Sequence, residues 1–309
     1  MNALMSALPP GMHVFERGWL SSNNILFCSA QENVIIDTGY LNHAPQTLNL
    51  VQQTLQGAPL HRILNTHLHS DHCGGNALLQ QHYGSHTSVP IFEREKVEKW
   101  DTTQLSYQAT GQRCEQFSLH GTISPGDTFL LGEREWQALS APGHDPHSLI
   151  FYCAEEQILI SADALWERGF GVIFPELDGK SGFAEARATL ELIASLAVRL
   201  VIPGHGAIFS DCASALQYAF SRVAYLEAEP MRNAHNAMKV MLKFLLLDRQ
   251  SIVLDELPTL LESIPLFVNA NERFMQRSTT ALAHWVTQQL VQSGVARVEN
   301  GVLLNRDFH

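Results

Sequence analysis

Between Asn65 and Gly75 the chain reads NTHLHSDHCGG, which puts three histidines and an aspartate inside the six positions 67 to 72. Solvated surface could carry such a cluster. The apolar run HRIL before it and the helix-like run NALLQQHYG after it argue instead for a strand–loop–helix junction, the kind of place where binding and catalytic side chains gather. If the segment is the extended end of a strand, the two-residue period sends His67, His69 and Asp71 to one side, while Ser70 and His72 point elsewhere until the chain turns at Gly74–Gly75. One loop can then face two neighbouring cations, His67 with His69 on one and Asp71 with His72 on the other. Two imidazoles do not complete a coordination shell. Three further donors follow strand-like runs: His144 in APGHDPHS, Asp163 in ISADAL and His205 in IPGHG. A glycine precedes both histidines and allows close approach. Asp163, with two oxygens, can bridge two cations, as an imidazole cannot.

The surrounding pattern gives the architecture. MHVFERG, NNILFCSA and NVIIDTGY read as strands bounded by turn residues, followed by a helix from about Pro45 to Gln56 with Leu48, Val51 and Leu55 on one face. SVPIF is another strand. Residues 101 to 122 are polar and poorly periodic, read as an inserted loop or lid. Strand patterns return in DTFLLG, EWQALSAPG, SLIFYCAE and QILISADAL, then a helix from about Phe183 to Ala197 and the strand RLVIPGHG. Two similar halves of this kind predict two sheets packed face to face with helices outside and loops from both halves meeting at one edge. After residue 210 the chain is mostly helical, ending in a hairpin signal at Asn300–Gly301. The predicted units are 1–221 and 222–309.

Composition narrows the function. With 20 Lys plus Arg against 31 Asp plus Glu and a formal net charge of −11, broad attraction to nucleic acid or an anionic membrane is disfavoured, and a small-molecule substrate is expected. Five scattered cysteines without a C-x-x-C pair suggest no disulfide framework or zinc knuckle. MNALMSALPPGMH lacks the parts of a secretory signal, and no run approaches ~18 apolar residues. A cytoplasmic location is the expectation.

As a set, H-x-H-x-D-H at 67 to 72, His144, Asp163 and His205 resemble the metallo-β-lactamase superfamily, and VIIDTG, containing Asp37, is similar to its first motif. The resemblance covers about residues 11 to 210. It implies an α/β fold, a four-layer αββα sandwich, here with a small, mainly helical C-terminal extension. By the same resemblance His67, His69 and His144 hold one metal, Asp71, His72 and His205 hold the second, Asp163 bridges them, and Asp37 fixes a ligand loop by hydrogen bonding. Asp145 and His147 depart from the family pattern, in which Thr and Gly are commoner at those positions. The C-terminal helices and hairpin resemble a winged-helix-like appendix found in some members. Residues 251 to 309 carry four Arg, no Lys and six acidic residues, which suits a wall over the site or a homodimer surface better than DNA binding.

Two divalent cations, zinc expected and iron or manganese as alternatives, would acidify a bridging water toward pKa ~7. The resulting hydroxide would attack a carbonyl carbon, with Asp71 shuttling the proton. The expected activity is hydrolysis of a small ester, thioester or lactone. Hydroxyacylglutathione hydrolases share the motif, but no basic cluster for the glutathione carboxylates is visible in the sequence. The alternatives are a metal-dependent nuclease, a mononuclear-iron dioxygenase-like enzyme and a non-enzymatic sensor acting through the extension. Among single residues, His147 reads as solvated and Cys73 as packing. Trp166, Phe170 and Phe174 read as core before acyl pocket, and Trp100 and Tyr107 are similar candidates.

Overall fold

Apolar segments of the first half pair in chain order. β1 (Met12–Phe15), β2 (Asn24–Phe27), β3 (Val34–Ile36), β4 (Arg62–Leu64), β5 (His86–Pro90) and β6 (Gly121–Ile123) form a six-stranded sheet. It is antiparallel through β1–β2–β3 and parallel from β3 to β6. The computed structural model describes residues 8–306; Met1–Ala7, the start of the stretch read for a secretory signal, lie outside the described residues. β7 (Thr128–Leu131), β8 (Arg134–Ser140), β9 (Leu149–Cys153), β10 (Ile158–Ala162) and β11 (Leu200–Pro203) form the second sheet, in the order β11-β10-β9-β8-β7. β9 and β10 are buried at every position, as strands covered on both faces must be, and so they read as unbroken apolar runs. β8 is less covered and alternates, turning Trp136 and Ala138 inward.

The inner faces meet in one core, with Phe27, Ile36 and Leu64 from the first sheet against Trp136, Phe151, Ile160 and Ile202 from the second. Outside the first sheet lie α1 (Ala44–Leu55) and α3 (Asn76–Tyr83), packing Val51, Leu55 and Leu79 on Leu26, Ile35 and Ile63. Before α3 comes α2 (Ser70–Cys73), and after it α4 (Arg94–Lys99) and α5 (Tyr107–Thr110). Outside the second sheet lie α6 (Phe183–Ser195) and α7 (Cys212–Glu227), packed on Ile150, Leu159 and Val201. These are the four expected layers.

The extension starts with α8 (Met231–Arg249), continues through α9 (Leu257–Glu262), α10 (Pro265–Ala270) and α11 (Thr279–Gln292), and carries a three-stranded antiparallel sheet. That sheet runs β12 (Ser251–Val253), β14 (Val302–Asn305), β13 (Ala296–Glu299), with the β13–β14 turn at Asn300–Gly301. Its own core holds Met238, Leu242, Leu261, Phe267 and Val286. Ser221 lies inside α7, whose Val223 and Leu226 still pack in the cluster over the second sheet. The helix breaks only at Ala228–Pro230. The inserted segment packs down: Tyr107 and Phe117 are buried with Leu68, Cys73, Val89 and Val97. Among the described residues, no helix is long and apolar enough to cross a membrane.

Candidate metal centre

β4 stops at Leu64, earlier than the alternation argument assumed, and the chain passes His67 and His69 without sheet pairing. It turns at Ser70, not at Gly74–Gly75, because α2 starts there; Asp71 and His72 are therefore helical neighbours, not alternating strand positions. Gly74 and Gly75 have ordinary negative φ. What they provide is room, since a Cβ on Gly75 would lie 2.6 Å from the Thr38 carbonyl oxygen and one on Gly74 2.4 Å from the Leu41 nitrogen.

Three more loop ends converge on this turn. A register irregularity between Ile160 and Ala162 interrupts the β10–β11 pairing just before its last pair, Ala162 with Pro203, the kind of bulge that re-aims a side chain beside a site. Asp163 follows it. Gly204 closes against Asp163: a Cβ there would stand 2.2 Å from Asp163 Oδ1. Gly143, before His144, has φ +137° and presses on Ala186. The loop at Ser22–Asn23 ties the parts together, its backbone N–H groups donating to Asp71 O at 2.9 Å and Gly204 O at 2.7 Å.

All seven sequence-selected donors meet. His69 Nδ1 lies 3.1 Å from His67 Nε2 and 2.8 Å from His144 Nε2. Across the site, His205 Nε2 is 3.1 Å from Asp71 Oδ2. Asp163 stands between, with Oδ2 3.3 Å from His144 Nε2 and 3.4 Å from His72 Nε2, and Oδ1 3.9 Å from His205 Nε2. Three overlapping groups of donor atoms result: His67–His69–His144, His67–His72–Asp163 and Asp71–His72–His205. The chemistry of the set fits divalent cations. His72 Nε2 is buried without a hydrogen-bond partner, and imidazole nitrogens about 3 Å apart match the ~3.3 Å edge of a tetrahedron with metal–nitrogen bonds of ~2.0–2.1 Å.

The far sides of His72, His144 and His67 are held, whereas His205 Nδ1 is buried without a hydrogen-bond partner. Asp37 Oδ2 accepts from His72 Nδ1 at 2.8 Å and from Thr66 Oγ1 at 2.7 Å, while Oδ1 accepts from the Thr66 N–H at 2.9 Å. His144 Nδ1 donates to Val172 O at 2.6 Å, and His67 Nδ1 lies 3.1 Å from Thr66 Oγ1. Such contacts select the tautomer that turns Nε2 toward the centre.

The charges follow the geometry. Burial, with the nearby imidazoles, pushes His67 well below its ordinary pKa, and burial with His69 lowers His144 to about 4; both are neutral at pH 7. For His72, burial works against the cation, but Asp163 and Asp37 outweigh it and raise the pKa well above the usual value. Burial likewise opposes ionisation of Asp163 and Asp71, yet the surrounding histidines hold both low.

The centre forms one pole of a cavity of about 520 Å³. Trp166, Phe170 and Phe174 line it, so the core reading of these aromatics is incomplete. Trp166 also donates from Nε1 to Asp163 Oδ1 at 3.2 Å, and Phe174 meets His69 edge-on at 5.2 Å. Trp19, not anticipated from the sequence, stacks on His205 at 5.5 Å. Trp100 and Tyr107 pack on one another and on Phe117 within the insertion and do not line the cavity. Cys73 points into that packing, with its thiol 3.1 Å from Tyr107 Oη and 3.8 Å from Cys114 Sγ. His147 pairs with Glu93, which Lys96 also holds at 2.7 Å. Arg168, Arg222 and Lys239 also line the cavity; sequence inspection found no such basic group.

Comparison with known proteins places the chain in a family. Residues 17–205 match the Metallo-beta-lactamase superfamily. An atrochrysone carboxyl ACP thioesterase from Aspergillus terreus is 27% identical over 213 residues, 68% of this chain and 57% of that protein. A hydroxyacylglutathione hydrolase from Bartonella henselae is 31% identical over 133 residues, 42% of this chain and 45% of that protein. The chain thus spans about half the length of these curated relatives. A metallo-beta-lactamase family protein from Thermus thermophilus superposes with a TM-score of 0.57 at 20% identity, over 96% of this chain and 99% of that one, a likeness of fold that includes the extension.

Proposed function

Because this chain belongs to the Metallo-beta-lactamase superfamily, we propose that it is a metal-dependent hydrolase of a small acyl substrate, an ester, thioester or lactone, with a thioester favoured. The observation that carries the reading is the set of three overlapping donor groups sharing His67 and His72 at the end of one cavity. His67, His69 and His144 would hold one divalent cation, Asp71, His72 and His205 the other, and Asp163 would reach both. Zinc is the metal we expect, with iron or manganese as the alternatives. When bound, such ions polarise a carbonyl oxygen and acidify a water.

The chain supplies the rest. Asp37 and the Val172 carbonyl lock ring orientation, which keeps the donors aligned without reorganisation. Asp71, whose Oδ2 faces His205, is placed to take a proton and return it to the leaving group. Phe170, Phe174 and Trp166 exclude water on one side and accept the acyl chain. For a thioester the balance is simple: the carbonyl carbon gains a water oxygen, the C–S bond breaks, and the sulfur leaves as a thiol. The two named curated relatives, a thioesterase and a glutathione-thioester hydrolase by their names, favour that bond.

The extension at 222–309, winged-helix-like by its sequence pattern, acts in this reading as a wall of the cavity, through Met241 and Phe244 of α8. Five unbridged cysteines fit a cytoplasmic enzyme, and a homodimer is the association state to check by light scattering. Metal analysis of the purified chain, with a panel of matched esters, thioesters and lactones, tests the activity. Turnover that disappears in His67→Ala supports it; no turnover of any member with zinc, iron or manganese bound overturns it.

A further inference from the structure

The cavity has a second pole. Arg168 follows β10, Arg222 stands on α7 and Lys239 on α8, and all three line the space that ends at the metal centre. The Arg222 stem lies against the loop that carries Arg168, since a Cβ on Gly169 would be 3.3 Å from Arg222 Cδ. Among the described residues, none of the three makes an ion pair or a side-chain hydrogen bond. Neighbouring Lys243 is different, because its ammonium is occupied by Val295 O at 3.0 Å. Arg222 and Lys239 are half-buried. Burial, together with Arg222, lowers the Lys239 pKa, which is the cost of holding like charges together without a counter-ion. The acidic groups lining the cavity, Asp71 and Asp163, belong to the other pole. In a chain of net charge −11, three cations left unpaired inside a cavity are an anion site.

We propose that Arg168, Arg222 and Lys239 hold the phosphate of a phosphorylated thiol, so that the substrates are thioesters whose leaving group carries a phosphate on its tail. This rests on the thioester reading above. A phosphate, with up to two charges and three acceptor oxygens, matches two guanidinium forks and an ammonium; a single carboxylate would leave cations unmatched. The direction follows from the walls. The rings of Trp166, Phe170 and Phe174 suit the apolar acyl chain, and the cations, with Arg168 between Trp166 and Phe170 on the same loop, are left for the charged part that departs. A tail phosphate then supplies binding that is remote from the reacting carbon.

The test uses the metal-loaded full chain and one acyl group on four thiols. Hexanoyl-pantetheine is neutral, hexanoyl-4′-phosphopantetheine adds the phosphate, hexanoyl-coenzyme A adds the nucleotide, and hexanoyl-glutathione offers carboxylates instead. A fifth arm, hexanoyl on an acyl carrier protein, distinguishes a free cofactor from a protein-borne one. The expected result is a kcat/KM at least tenfold higher for the phosphorylated thioesters than for the neutral one, expressed in KM. Arg222→Ala and Lys239→Gln reduce that ratio about tenfold, and Arg168→Ala, in an exposed loop, gives a second route if a helix variant misfolds. Lys99→Ala, on the remote α4, leaves the ratio intact. Equal rates for neutral and phosphorylated thioesters, or a preference for the glutathione thioester, overturn the proposal while leaving the hydrolase reading standing. If no thioester is hydrolysed, that reading fails and calorimetry decides this one: 4′-phosphopantetheine must bind at least tenfold tighter than pantetheine, and equal binding rejects the subsite.

Discussion

The two poles of the cavity are built in opposite ways. At the metal pole the side chains are short and mostly buried, and several are held from behind: Asp37 grips His72 and Thr66, the Val172 carbonyl grips His144, and Gly204 leaves no slack behind Asp163. At the basic pole the side chains are long and, among the described residues, make no ion pair or side-chain hydrogen bond. A rigid pole suits bond-breaking, where misplacement is expensive in rate, while flexible cations can follow a tail whose position differs between substrates. The difference predicts a division of effects. Changes at the metal pole should depress turnover of every substrate by a similar factor, whereas changes at the basic pole should alter the choice among substrates.

The largest effect expected at the metal pole is from Asp163→Asn. It removes the charge that reaches both donor groups, so metal content and kcat should fall together by more than the ~10–100-fold typical of losing an outer-shell partner. Metal analysis with kinetics on two thioesters checks this, and unequal losses on the two would break the division. Next comes Gly204→Ala, at the upper end of about 10–100-fold. Its Cβ would displace Asp163 Oδ1 from 2.2 Å away, although Gly204 itself binds nothing. Asp37→Asn is placed lower in the same ~10–100-fold range, because an amide oxygen at the Oδ2 position can still accept from His72 and Thr66 Oγ1, while the bond that Oδ1 accepts from the Thr66 N–H is lost with the charge. A metal titration should show a weaker midpoint, with much of kcat recovered at saturation.

The two poles also differ in how far they could be read from the chain alone. The metal pole was legible because its donors sit in short runs directly after strands, where local sequence and three-dimensional position coincide. Even there the mechanism of convergence was misjudged: His72 arrives through the turn of α2, which an alternating pattern does not encode. β1 likewise stops at Phe15, short of the run to Gly18, because Arg17 turns to donate to Asn24 Oδ1 at 2.6 Å and Thr47 Oγ1 at 2.8 Å. Arg168, Arg222 and Lys239 gave no signal. A cation on an amphipathic helix has the pattern of a solvated face, and only the packing of α7 against α8 and of the loop after β10 brings these three to one space. Trp19 was missed for the same reason, its stacking on His205 being a long-range contact.

Trp166 sharpens the comparison most finely, because it belongs to both descriptions: its ring lines the cavity and its Nε1 donates to Asp163 at 3.2 Å. Trp166→Phe keeps an aromatic wall, of smaller area, and removes the hydrogen bond. A single net hydrogen bond of about 0.5–1.5 kcal/mol corresponds to a roughly two- to tenfold effect, smaller than the other three. If the bond matters by orienting Asp163, the loss should fall on kcat equally for short and long acyl chains and should be absent from KM. If Trp166 acts instead as a wall for the acyl chain, Trp166→Phe should cost long-chain substrates more than short ones, and its effect should grow again in Trp166→Ala. Chain-length profiles of the two variants therefore separate a residue that orients the metal pole from one that selects the acyl group.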